Sequence, residues 1–308
     1  MEKRRIGSLE VSIAGLGCNN FGRRLDFEAT DRVVHAAIEA GINFFDTADI
    51  YGDTRSEEFL GRSLGGRRQE VILATKFGYR LDDERKGASP EYIQRASEDS
   101  LRRLGTDYID LYQLHKPDPT VPITDTLGAL DELVKAGKVR EIGCSNFSVE
   151  QLREAERGVG PGAARFVSVQ NEYSLLHREP EADGVLAECE RTELAFLPFF
   201  PLASGLLTGK YRKDQPPPPG SRISGANRYS ELLADGSLDR VEALIGFAES
   251  RGHTILELAM SWLLAHPVVA SVIAGATSPE QVRANVAATG WRLTEADLAE
   301  IDGLLRRD

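Results

Sequence analysis

Four residue types that can run acid–base chemistry together stand at or near the ends of short apolar runs. Asp46 closes Asn43-Phe44-Phe45, Tyr51 lies just beyond it, Lys76 follows the run 71–75, and His115 follows 109–114. Two later runs end in Ser145-Asn146 and Gln170-Asn171. The set suits reduction of a carbonyl by hydride transfer, in which the developing alkoxide needs a proton and a polarising donor. A free tyrosine, with a pKa of about 10, is a reluctant acid near neutrality. A neighbouring ammonium stabilises its phenolate, and a carboxylate paired with that ammonium keeps the charge in place. The expectation is therefore that Tyr51 is the acid, Lys76 tunes it, Asp46 holds Lys76, and His115 donates a hydrogen bond that orients the carbonyl. Any one of these residues alone is more often a loop residue, a surface ion pair or a structural histidine. Their joint occurrence on successive segments carries the reading.

Such groups must be brought to one place, and the chain's periodicity indicates how. Apolar runs rich in β-branched or aromatic residues recur at 13–16, 42–45, 71–74, 108–114, 140–144, 166–169, 195–200 and 271–274, and read as buried strands. Helical patterns lie between them. Ser89-Pro90 opens one as N-cap and first helical residue, Ile93, Ala96, Leu101 and Leu104 form its apolar face, and Gly105 stands where a terminating glycine belongs. Ile123, Leu127, Leu130 and Val134 mark a second that stops near Gly137, and Ser148 with Gln151 opens a third as a capping box. Ser278, Pro279 and Gln281 repeat that capping logic.

Eight strands alternating with helices predict an α/β fold with a parallel sheet closed into a (β/α)8 barrel, one domain spanning 1–308, ahead of an open doubly wound sheet. Gly7-Ser8 between short β-like pieces predicts a hairpin over 4–12 that plugs the barrel floor. Residues 215–230, with four consecutive prolines, predict a long loop after the seventh strand, at the rim where barrel enzymes work.

Composition narrows the partners. A chain with 41% hydrophobic and 28% charged residues can bury a sizeable core. With 37 Lys plus Arg against 48 Asp plus Glu, the net charge of −11 argues against nucleic acid or an anionic membrane. No apolar stretch approaches the roughly 20 residues of a membrane span, and the basic N-terminus lacks the apolar region of a secretory signal. Cys18, Cys144 and Cys189 are odd in number and widely spaced, which fits free thiols in the cytoplasm. The five histidines show no zinc spacing, so no metal is expected.

The segment Gly41-Ile42-Asn43-Phe44-Phe45-Asp46-Thr47-Ala48-Asp49-Ile50-Tyr51-Gly52 resembles the signature of the aldo-keto reductases. The resemblance runs through most of the chain: Gly15-Leu16-Gly17, Ala74-Thr75-Lys76, the segment from Asp107 to His115, Ile142-Gly143-Cys144-Ser145-Asn146-Phe147, Val169-Gln170-Asn171-Glu172-Tyr173, the segment from Pro201 to Lys210, and Ile273-Ala274-Gly275-Ala276-Thr277. All four members of the family's Asp-Tyr-Lys-His set match, at Asp46, Tyr51, Lys76 and His115. The resemblance implies NADPH bound extended across the barrel mouth, with an aldehyde or ketone as substrate.

It further implies that Gly17, Cys18, Asn19 and Asp46 border the cofactor, that Ser145, Asn146 and Gln170 bind its carboxamide, and that Phe199 stacks on the nicotinamide. Phe200, Pro201, Leu202, Ser204 and Lys210 match the segment that wraps the pyrophosphate. Gly275, Thr277, Gln281 and Asn285 match the adenosine-phosphate end, where a helix N-terminus offers N–H groups to a phosphate. Many relatives carry an Arg at the Gln281 position to read the 2′-phosphate; Arg222 or Arg283 would supply the missing charge. The chain has no Gly-x-Gly-x-x-Gly between strand and helix, and 205–210 is one residue short of a nucleotide-hydrolase phosphate loop.

Tyr79, Arg80, His177 and 220–230 are candidates for substrate selection. Two other readings compete: a cofactor-binding regulatory protein resembling the β subunits of voltage-gated potassium channels, against which His115 argues, and a barrel lyase or isomerase forming a Schiff base at Lys76.

Overall fold

The computed structural model describes residues 1–213, 215–219, 221 and 236–305. The hairpin pairs β1 (Lys3–Ile6) with β2 (Leu9–Ser12), antiparallel. Eight parallel strands follow: β3 (Ala14–Gly17), β4 (Phe44–Asp46), β5 (Ile72–Phe77), β6 (Ile109–Leu114), β7 (Val139–Ser145), β8 (Phe166–Glu172), β9 (Ala195–Phe199) and β10 (Val272–Gly275). They pair in the order β10-β3-β4-β5-β6-β7-β8-β9. The remaining seam closes where Phe196 N donates to Val268 O at 2.7 Å and Ala270 N donates to Phe196 O at 3.1 Å. The fold is a (β/α)8 barrel, as the alternation of elements predicts.

The strands read cleanly because those of a parallel barrel are buried on both faces and become nearly continuous apolar runs. Their limits differ from the sequence expectation at the C-terminal ends. β5 and β7 run through Lys76 and Ser145, and β8 through Gln170, because the parallel ladder continues there: Lys76 pairs with Gln113 and Ser145 with Gln170. Polar side chains that look like loop residues are thus the last inward positions of strands.

The hairpin closes the floor. Ile6, Leu9 and Val11 are fully buried and pack with Phe44, Ala74, Leu111 and Leu197 of the barrel interior. Arg4 locks this plug by donating to the carbonyls of Leu264, His266 and Val269 at 2.8, 3.2 and 2.6 Å. Those carbonyls end or follow α9 (Ile255–Leu264), where a cation is favourable.

Helices α1 (Phe27–Glu39), α2 (Arg55–Leu64), α3 (Pro90–Leu104), α4 (Ile123–Lys135) and α5 (Val149–Gly158) lie after β3 to β7 in turn. Their caps follow the sequence signals. Ser89 accepts from Tyr92 N at 3.3 Å and Gly105 adopts φ 62°, bounding α3. Both halves of the Ser148–Gln151 box form. On the core sides Ile93 and Leu130 are fully buried, each such burial contributing roughly 1.5–3 kcal/mol.

Alternation breaks in the second half. Two helices, α6 (Glu179–Ala182) and α7 (Val185–Thr192), follow β8, while α8 (Ser237–Ser250) and α9 separate β9 from β10. α10 (Pro279–Ala287) and α11 (Glu295–Leu305) complete the described chain. Most of the expected loop 215–230, including Arg222, lies outside the described residues. No described helix is long and apolar enough to cross a membrane.

Candidate active site

The C-terminal ends of β4, β5, β6 and β8 converge on one polar cluster. Lys76 Nζ donates to Asp46 Oδ2 at 2.6 Å and to Thr47 O at 2.8 Å. The other carboxylate oxygen, Asp46 Oδ1, accepts from Gln113 Nε2 and Gln170 Nε2, each at 3.1 Å. Lys76 is fully buried, so the pair is screened little by water, and the two amides supply the further hydrogen bonds that a buried ion pair needs. Gln113 is missing from the sequence reading. Its sequence signal was an amide inside the apolar run 109–114; the structure sets it two positions from the inward Leu111 and in register with Lys76.

Tyr51 lies above this pair, on the loop after β4. The Lys76 ammonium is 5.2 Å from its ring centroid, and the His115 ring stands edge-on to it at 5.8 Å. Tyr79 also packs edge-on against His115, at 4.4 Å. The electrostatics follow from burial and from this company. Burial, the largest single influence, pulls the Lys76 ammonium down, but Asp46 and Tyr51 together hold it above its ordinary value. Burial and the nearby Lys76 and Lys116 drive His115 well below the usual imidazole range, so it is neutral at pH 7. Its Nδ1 is buried without a partner. For Tyr51, burial raises the phenol and outweighs the opposing pull of Lys76, part of which Asp46 offsets. The ammonium alone would have acted in the other direction.

The cluster forms the floor of a cleft of about 1140 Å³. Gly17, Cys18 and Asn19 line one wall, and Ser145, Asn146, Gln170 and Phe199 another. Phe200, Pro201, Leu202, Ser204 and Lys210 edge it, as do Gly275, Thr277, Gln281 and Asn285. Asp46, Tyr51 and His115 face the cleft, with Lys76 beneath them. Arg222 lies outside the described residues. Cys18 remains a thiol, its pKa raised by burial and by Asp46.

Several details differ from the sequence expectation. Gln281 does not close a capping box with Ser278: it reaches one residue further, and its Oε1 accepts from Thr277 N at 2.8 Å and Thr277 Oγ1 at 3.1 Å. Ser278 still caps the helix by accepting from Gln281 N. Arg283 pairs with Glu280 at 3.0 Å and is not among the lining residues. Of the substrate candidates, Tyr79 lines the cleft but Arg80 and His177 do not, being tied to Asp83 and Glu179.

Ser145 Oγ donates to Gln170 O at 2.7 Å, and Asn146 Nδ2 donates to His115 O at 2.9 Å. Asn146 achieves this with φ 61°. Among the described residues, the non-glycines with positive φ other than Glu193 are Asp53, Thr54, Asn146, Phe200, Ala203 and Ser204, all on segments that edge the cleft. Such residues cost roughly 1–3 kcal/mol each and concentrate where a ligand must be met.

The sequence pattern of the Aldo/keto reductase family matches residues 14–306. The chain belongs to this family. It is 35% identical to an aldo-keto reductase of Schizosaccharomyces pombe named for NADP(+), over 97% of this chain and 89% of the relative. It is also 35% identical to a probable voltage-gated potassium channel β subunit of Oryza sativa subsp. japonica, over 94% and 91%. The solved structure of a glycerol dehydrogenase from Gluconobacter oxydans superposes with a TM-score of 0.85 at 31% identity, covering 98% of this chain and 94% of that one.

One buried group of this aldo/keto reductase serves none of the hydrogen bonds above. Asp49, two residues before Tyr51, is 1% exposed, and neither carboxyl oxygen has a partner. Burial, then Glu57, push its carboxyl up to about 8. A group raised on folding contributes stability that is complete below its unfolded value and is lost as pH rises through the folded one. Asp49→Asn should therefore melt higher than the wild type by a margin that widens from pH 5 to pH 8. The slope is at most about 1.4 kcal/mol per pH unit, or roughly 2 °C per unit at this chain length. A margin independent of pH in thermal scans would show that Asp49 is ionised throughout.

Proposed function

We propose that the protein is an NADPH-dependent reductase of aldehydes or ketones, with Tyr51 as the proton donor. The observation that carries this reading is the Lys76–Asp46 pair, its ammonium fully buried, beneath Tyr51, with neutral His115 beside it, at the floor of one cleft. The cofactor, when bound, supplies the hydride. Phe199 offers an aromatic face to the nicotinamide ring. Ser145, Asn146 and Gln170 present polar atoms to its carboxamide: the Gln170 amide nitrogen is used by Asp46, which leaves its carbonyl oxygen for the ligand. Lys210 and the N-terminus of α10 offer positive charge to the phosphates.

Neutral His115 keeps one N–H with which to polarise the carbonyl oxygen. Tyr51 Oη releases its proton to that oxygen as it becomes an alkoxide, a much stronger base than a phenolate. The raised phenol is no obstacle, because the acid form must be the one present before transfer. Lys76 then stabilises the phenolate left behind. A protonated Lys76 bound to Asp46 and Thr47 is a poor amine nucleophile, which weighs against the Schiff-base reading.

Two measurements test the proposal. NADPH should bind at least about tenfold more tightly than NADH, since a charge-assisted phosphate contact contributes roughly 1.5–3 kcal/mol; equal affinities in a fluorescence titration would overturn the cofactor assignment. Turnover of a panel of aromatic, aliphatic and dicarbonyl substrates should follow NADPH absorbance. Tight NADPH binding with no turnover across that panel would favour the regulatory reading, which the rice relative keeps in view.

A further inference from the structure

Beside Tyr51 the cleft has a second chemical feature that the reductase reading leaves unused. The chain carries a net charge of −11, yet the mouth next to the acid is lined by Arg23 and Arg55. These residues come from different loops, after β3 and after β4, joined by a backbone approach that only glycine allows. Gly22 has φ +71°, and a Cβ there would lie 2.5 Å from the Arg55 Cβ. Gly52 has φ +60°, and a Cβ there would lie 2.5 Å from Phe21 O. A tight turn, with Gly22 N donating to Leu25 O and Leu25 N to Asn20 O, both at 3.0 Å, holds Arg23 at its tip. Arg23 and Arg55 are thus carried to one edge of the cleft by two turns that meet at Gly22 and Gly52.

Their existing partners are few. The Arg23 side chain makes no hydrogen bond or ion pair among the described residues. Arg55 Nε donates to Gly52 O at 2.9 Å, which fixes its stem, and its terminal nitrogen is 3.7 Å from Asp53, whose side chain is 96% exposed. A contact of that length between solvated groups is weak and readily exchanged for another anion. Arg24, next in the chain, already has a partner and is not invoked. Two cations carried on adjoining turns at one cleft edge, without a buried counter-charge among the described residues, are an arrangement that an incoming anion relieves, through charge-assisted and bidentate hydrogen bonds.

We infer that Arg23 and Arg55 form an anion subsite that selects carbonyl substrates carrying a carboxylate or phosphate. The inference rests on the reductase reading, which places the carbonyl between Tyr51 and His115; Gly52 joins Tyr51 to the loop that bears Arg55, so the subsite borders the reacting centre. The cofactor's phosphates, in that reading, are met by Lys210 and α10; Asn20, whose carbonyl holds the Arg23 turn, donates from its side chain to Ala276 O at 3.4 Å just before α10, so those phosphates are the competing anion. Arg55 closely follows Tyr51 after β4, which assigns the pair to the acid group of the substrate.

The test compares kcat/KM for 4-carboxybenzaldehyde and its neutral methyl ester, an aldehyde of nearly the same shape, in the wild type, Arg23→Ala and Arg55→Gln. NADPH affinity is measured in each protein, and circular dichroism checks its fold. The wild type should favour the acid by about tenfold or more, and each variant should lose most of that preference through KM. High salt should weaken the preference as well. Equal use of both aldehydes by the wild type, or a preference that survives both substitutions, would overturn the subsite while leaving the reductase reading intact. Weakened NADPH binding with an unaltered preference would also overturn it, by moving the arginines to the cofactor's phosphates. A wild type inactive on both aldehydes and on the broader panel would remove the reductase reading, and the subsite with it.

Discussion

Tyr51→Phe should lower kcat for carbonyl reduction by about 10²–10⁴-fold, the usual worth of a positioned general acid, with NADPH affinity nearly unchanged. The substitution removes one hydroxyl and keeps the ring, so the edge-on contact with His115 and the approach of Lys76 to the ring persist. The fall should therefore appear in kcat and kcat/KM together, as for an interaction made in the transition state alone. The raised Tyr51 phenol adds a pH signature. The group is fully in its acid form through the neutral range, so reduction by the wild type should show no loss from Tyr51 ionisation until well into alkali. Retained activity in the Phe variant would assign the proton to another donor.

Much of this arrangement was legible in the sequence because parallel strands buried on both faces leave uninterrupted apolar runs, and polar residues at their ends stand out. Ser89 and Ser148 announced α3 and α5 through local chemistry that needs no tertiary information. What the sequence could not provide depends on packing between distant segments. Gln113 looks like an interruption of an apolar run until the β5–β6 register sets it beside Lys76 and within reach of Asp46. Gln281 has the spacing of a capping box, yet its carbonyl oxygen turns to Thr277. The rise of the Tyr51 phenol is a balance of burial against charge, and spacing reports only the charge. The arginine pair at the mouth needs Gly22 and Gly52 to meet, which neither segment reveals alone.

The buried ion pair makes the second large effect separable into fold and chemistry. Lys76→Met leaves Asp46 in a site where the exposure of its side chain is 5%, with the ammonium gone and only the amides of Gln113 and Gln170 to meet its charge. Breaking a buried pair from one side costs about 3–5 kcal/mol, because the remaining charge stays desolvated. Reduction should fall as well, since the phenolate formed at Tyr51 loses its stabilising neighbour. Activity loss alone would not distinguish a misfolded barrel from a missing charge, but a second substitution does. Lys76→Met with Asp46→Leu removes both charges and fills the space with apolar atoms, so denaturant titration should show most of the stability restored while turnover stays lost. Recovery of stability and activity together would make the pair a structural element only, and would leave Tyr51 to act without it.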